Sequence, residues 1–136
     1  MNRKIAIFFL GIYILCTMCA CSLMNGEGEK VRDLDFTILG EEKIPEALRA
    51  IIDERKVDDF KLTYSDKEYL YICIGYGEQS TGGYSIAVNQ LYLGDNAIYC
   101  STSLLGPESA QRSNSNPSYP YIVIKTEYLD ETVIYQ

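Results

Sequence analysis

From Phe60 onward the apolar residues of this chain recur at every second position, the period that buries one face of a β-strand. Phe60, Leu62 and Tyr64 alternate with Lys61 and Thr63; Leu70, Ile72 and Ile74 alternate with Tyr69, Tyr71 and Cys73; Tyr84, Ile86 and Val88 share a third face. Runs at 91–93, 97–104, 121–128 and 132–135 have the same character, and Asp66-Lys67 and Gly94-Asp95-Asn96 fall between runs as hairpin turns. One earlier stretch, IPEALRAIIDERKV, follows a different period: Ile44, Ala47, Leu48, Ile51 and Ile52 recur at helical spacing, with Pro45 suited to a first turn. Glu46 near its start and Arg55 and Lys56 near its end complement the helix dipole, so the spacing predicts one amphipathic helix over about 45–56. A helix followed by strands, without alternation of the two, predicts an α+β domain: one amphipathic helix packed on a mostly antiparallel β-sheet. The stretch GPESAQRSNSNPSYP, residues 106–120, has no period and many turn formers, and is expected to be a long exposed loop.

The N-terminus reads as an address. A basic start, Met1-Asn2-Arg3-Lys4, precedes the uncharged run IAIFFLGIYIL at Ile5–Leu15, which is shorter than the roughly 20 residues of a membrane-spanning helix and has the form of a secretory signal. Met18-Cys19-Ala20-Cys21 then resembles a bacterial lipoprotein lipobox, departing from its commonest form at Met18 and Cys19. The resemblance implies cleavage before Cys21, a lipid on its thiol, and two lipid tails, the number that stable anchoring generally requires. The alternative is an uncleaved N-terminal anchor; either places the domain on the extracytoplasmic side of the cell membrane. The expected organisation is a signal peptide at 1–20, a polar, glycine-containing tether at 21–35 and the domain at 36–136.

Removing 20 of 136 residues leaves 116, enough for one modest core. All 19 acids but only 10 of the 12 bases lie in that part, so its side chains carry 10 minus 19, or −9. That balance argues against nucleic acid and against anionic membrane as partners. Cys73 and Cys100 remain once Cys16, Cys19 and Cys21 are set aside, either as one disulfide or as two ordinary buried thiols. With no histidine there is no Ser-His or Cys-His dyad and no histidine-bearing zinc site. Gly83-Tyr84-Ser85-Ile86-Ala87 fails as a nucleophile elbow at Ala87, and Gly75-Tyr76-Gly77 fails as a phosphate loop at Ser80. The acid pairs Glu41-Glu42, Asp58-Asp59 and Asp130-Glu131 lie at element ends, where carboxylates are ordinarily solvated. No catalytic residue, metal or cofactor is expected.

Gly82 and Gly83 permit backbone angles closed to other residues, and their amides can form a nest for a carboxylate or peptide carbonyl, although on the residues alone a tight connection or bulge is the favoured reading. The order Tyr64-Ser65-Asp66, Tyr69-Leu70-Tyr71-Ile72, Gly75-Tyr76-Gly77, Thr81-Gly82-Gly83-Tyr84-Ser85-Ile86 and Tyr119-Pro120-Tyr121 resembles the PrcB C-terminal domain, over about residues 44–127. That family occurs on bacterial lipoproteins and is named for a subunit of a secreted protease complex. The resemblance implies a non-catalytic accessory module that binds, assembles or stabilises an extracytoplasmic protease, and it carries over no catalytic residue. The residues expected to meet such a partner are Thr81, Gly82, Gly83, Tyr84 and Ser85, together with Tyr69 and Tyr71 if their face is exposed. Eleven of the twelve tyrosines lie from Tyr64 onward, and tyrosine serves both protein interfaces and ligand stacking, so binding of cell-wall glycan is the second reading.

Overall fold

A computed structural model of the chain describes residues 29–108 and 116–136. The signal segment, the proposed lipid site Cys21 and the middle of the 106–120 loop lie outside the described residues. Among the described residues there are eight strands: β1 (Lys30–Asp33), β2 (Phe36–Ile38), β3 (Asp59–Ser65), β4 (Tyr69–Tyr76), β5 (Ser85–Gly94), β6 (Ile98–Leu105), β7 (Tyr121–Glu127) and β8 (Val133–Tyr135). A 3-10 turn at Glu41–Lys43 and one α-helix, α1 (Glu46–Arg55), separate β2 from β3.

The strands divide between two four-stranded sheets, ordered β1-β5-β6-β8 and β2-β7-β4-β3. Every pairing is antiparallel except β6 with β8. The single sheet expected from the sequence is therefore corrected to two, and the reason lies in β4. Its residues from Leu70 to Gly75 are all buried, so both of its faces are covered, as in a central strand. Leu70, Ile72 and Ile74 pack with Ile124 against Leu91, Ile98 and Cys100 of the other sheet. The opposite face, with Tyr71 and Cys73, forms a second core with Ile44, Leu48, Ile52, Phe60 and Val123. Leu48 and Ile52, four apart on α1, are the helix residues buried there.

Turn chemistry follows the residues that signalled it. Between β3 and β4, Lys67 adopts φ 78° while Asp66 Oδ1 accepts the amides of Glu68 (3.2 Å) and Tyr69 (2.9 Å). These bonds, that of Tyr69 first, hold the Asp66 carboxyl below the usual carboxylate range. Between β5 and β6 the turn at 94–97 closes with the Gly94 amide on the Ala97 carbonyl at 2.8 Å. The two runs at 84–88 and 91–93 prove to be one strand, β5, with a bulge at Asn89, whose side chain donates to Ser103 Oγ at 2.6 Å.

Each side of the sandwich is closed differently. On one side the chain passes from β1 to β2 through the buried Leu34, and Arg32 of β1 pairs with Glu127 of β7 at 2.7 Å. Lys30–Asp33, assigned to the tether from its polar composition, is thus an edge strand: all four residues are exposed, and backbone pairing to β5 holds it without any apolar period. On the other side, Tyr135 of β8 donates to the Leu62 carbonyl of β3 at 3.3 Å.

Candidate functional site

The Thr81–Ser85 motif lies where β4 hands the chain to β5. Gly77 opens this connection with φ 75°, and a side chain there would meet the Asp59 amide nitrogen at 3.0 Å, so glycine is required on both counts. Gly83 closes it with φ 87°. Between them the chain is fastened to residues 118–120, the approach to β7. Gln79 and Ser118 exchange backbone hydrogen bonds at 2.8 and 2.9 Å, and Ser118 Oγ donates to the Thr81 carbonyl at 2.7 Å. The Tyr76 amide donates to the Pro120 carbonyl at 3.0 Å, and the Tyr119 hydroxyl donates to Glu78 Oε1 at 3.2 Å. The Tyr84 ring lies beside Gly106, where a Cβ would stand 3.9 Å from Cε1.

This fastening uses the amides of Tyr76 and Gln79, and the Glu78 amide donates to the Val57 carbonyl at 3.0 Å, but the next five are left. From Ser80 to Tyr84 no N–H has an acceptor among the described residues, and all five residues are exposed or half-buried. A fixed turn whose donors have no acceptor among the described residues is suited to receiving carbonyl or carboxylate oxygens from another chain. Beside it, Tyr119 and Tyr121 line a cleft of about 380 Å³ together with Glu41, Arg49, Asp53 and Lys56. Arg49 donates to the Glu41 carbonyl, and Lys56 stands 5.9 Å over the Tyr119 ring. Burial, then the charges of Glu41 and Asp53, pushes the Tyr121 hydroxyl pKa up, so it remains a neutral donor.

The predicted site residues do not form one surface. Thr81, Gly82, Gly83, Tyr84 and Ser85 are contiguous at this corner, whereas Tyr69 and Tyr71 begin β4 and lie roughly 20 Å along the strand from its other end. Tyr69 is exposed, with Lys125 Nζ 3.8 Å above its ring. Tyr71 is only 5% exposed; its face meets α1, not solvent, and its hydroxyl donates to Asp66 at 3.1 Å. The expected exposed Tyr69/Tyr71 pair is corrected on that ground. Sequence reasoning missed the fastening residues Gln79, Ser118 and Glu78. Their one signal was Tyr119-Pro120-Tyr121, noted for its resemblance but placed in a structureless loop.

Residues 70–127 match the family model of the PrcB C-terminal domain. The match begins within β4 and ends with β7, so it takes in the glycine turn and residues 118–120 that hold it, while α1 and β3 precede it. No curated protein and no solved structure matches the chain. The matched segment contains both cysteines, and both are free: Cys73 faces α1 and Cys100 faces the core between the sheets. Burial pushes the Cys73 thiol from 9.0 up to about 12 and the Cys100 thiol up to about 11. Because the folded values are raised, the neutral thiols stabilise the fold fully below pH 9 and lose that contribution as pH rises toward 11 and 12. At pH 10 the loss is on the order of 1 kcal/mol for each thiol. A Cys73→Ala, Cys100→Ala variant should show a correspondingly smaller fall in urea stability between pH 8 and 10 than the parent. Equal falls would contradict the burial of the thiols. The six residues of the three acid pairs are all exposed.

Proposed function

We propose that this protein is a non-catalytic accessory module, lipid-anchored through Cys21 on the extracytoplasmic side of the cell membrane, that binds an exported protein through its Thr81–Ser85 corner. The observation that carries the reading is the run Ser80–Tyr84, whose five amides have no acceptor among the described residues, on a turn fixed by Ser118 and Gly77. The match to the PrcB C-terminal family supports a protease, or another member of a protease complex, as the partner. The glycan reading relied on Tyr69 and Tyr71 as a flat platform, and the burial of Tyr71 leaves it one ring.

Crosslinking in intact cells, purification through a C-terminal tag and mass spectrometry test the reading. One exported partner should be recovered with the parent chain and lost with Gly82→Val and with Tyr84→Ala, both retaining the parent's thermal unfolding. Recovery of the same partner by both folded variants would refute the corner as the binding surface. In the same cells Cys21→Ala should abolish lipid labelling and release the protein; persistent labelling would refute Cys21 as the anchor.

A further inference from the structure

Strand β1 fixes where the N-terminal segment enters the domain. It runs antiparallel to β5 with Lys30 opposite Gly94, and one residue earlier the Glu29 carbonyl accepts the Asp95 amide at 3.1 Å. The chain therefore arrives at the 94–97 turn, where β5 ends and β6 begins. Ser85, at the other end of β5, belongs to the Thr81–Ser85 corner. The 10 residues of β5 rise about 3.3 Å each, so entry point and corner lie roughly 30 Å apart, at opposite poles of the sandwich. The second sheet shares this polarity. Glu127, opposite Tyr69 at the start of β4, is bound to Arg32 near the entry pole, and Tyr76, opposite Asp59 at the far end of β4, is bonded to Thr102 toward the corner pole.

Eight residue steps from Cys21 to Glu29 span at most about 29 Å. A lipid on Cys21 accordingly pins the entry pole near the bilayer and leaves the corner as the pole that can move away from it. The side chains of residues 21–136 together carry −9. A flank laid on anionic lipid would bring much of that charge within the screening length of about 10 Å, whereas a domain standing on its entry pole keeps most of it beyond.

We propose that the 94–97 end of the sandwich is its lipid-facing pole and the Thr81–Ser85 corner its outer pole, so that the exported partner is met roughly 30 Å beyond the point where the tether enters. The inference rests on the lipid anchor at Cys21 put forward above and adds to it an orientation. No partner is needed to measure it.

The test uses the lipidated protein, purified from cells and reconstituted in vesicles of phosphatidylglycerol and phosphatidylcholine that carry a nitroxide on the lipid headgroup. Asp95, Gln90 and Ser85 are exposed positions along the β5 line, and single Asp95→Cys, Gln90→Cys and Ser85→Cys variants take a fluorophore there. Cys73 and Cys100 are buried, so the introduced thiol is the one that reacts, with the parent chain as blank. At about 0.1 M salt the headgroup nitroxide should quench Asp95→Cys about fivefold more than Ser85→Cys, with Gln90→Cys between, and about 1 M salt should narrow that ratio. In the other sheet Glu68→Cys should likewise be quenched more than Asp59→Cys, and Gly82→Val should leave every order unchanged. Equal quenching along β5, or the reverse order, would overturn the proposal. So would a gradient along β5 that is missing between Glu68 and Asp59, which would describe a domain lying on a sheet face. A ratio indifferent to salt would overturn charge as the orienting force. Protein that carries no lipid and does not bind vesicles would refute the anchor and this inference with it; lipidated, vesicle-bound protein with a flat profile would refute the orientation alone.

Discussion

Replacing Gly75 with alanine is expected to destabilise the fold by about 3 kcal/mol, the upper end of the usual cost of overpacking. Gly75 of β4 lies directly opposite Phe60 of β3, and the aromatic ring occupies the space that a side chain would fill. An added Cβ would lie 2.2 Å from Cε1 and 2.6 Å from Cδ1, against the side of the ring where no flexible end can yield. Phe60 cannot simply rotate away, because it is 8% exposed in the core beneath α1. Phe60→Ala alone should cost about 3–5 kcal/mol through lost burial and the cavity left behind. The decisive quantity is the double variant measured by urea unfolding. Once the ring is gone the alanine methyl has room, so the two losses should fall short of their sum by about 2 kcal/mol. Strict additivity would show that the ring does not depend on the missing Cβ. The consequence reaches the site, because Gly75 stands two residues before Gly77, where the chain leaves β4 for the Thr81–Ser85 corner.

The sequence made the strands and the helix legible because their periods differ, but it did not reveal the layers. In LYICIGY, a period-two reading assigns Leu70, Ile72 and Ile74 to the buried face and Tyr71 and Cys73 to the other. What it cannot supply is that the other face is buried too, since tyrosine and cysteine serve interior and surface alike. The unbroken run of apolar residues was the better signal, for it is the mark of a strand covered on both sides. β1 was illegible for the opposite reason: Lys30–Asp33 is exposed throughout and held by backbone bonds, which leave no side-chain pattern. The corner was half legible. Its glycines stood out because left-handed geometry restricts the residue type, and Gly83 does adopt φ 87°. Ser118 and Gln79 did not stand out, because a bond between segments 39 residues apart has no local signature.

The second large effect concerns α1. Leu48→Ala removes a fully buried side chain from the outer core and should cost about 3 kcal/mol, within the 2–5 kcal/mol usual for such truncations. Which part of the molecule opens in response can be read from the thiols, because Cys73 lies beneath the helix and Cys100 lies between the sheets. With its pKa pushed up to about 12, Cys73 holds roughly one part in 10⁴ of thiolate at pH 8 while buried, so a thiol-specific reagent reports on opening. Undocking of α1 exposes Cys73 but leaves the two sheets closed on Cys100. In Leu48→Ala, Cys73 should therefore react much faster than Cys100, with a rate nearly independent of dilute urea because little surface is uncovered. Cys100 should react only through global unfolding, with the full urea dependence of that transition. If both thiols reacted with the same steep dependence, the two cores would open as one and the helix would not be a separable layer. If Leu48→Ala cost almost nothing, the helix would not be held by this side chain at all. The first expectation follows from β4 itself, whose alternate residues face different partners and so commit the two cysteines to different cores.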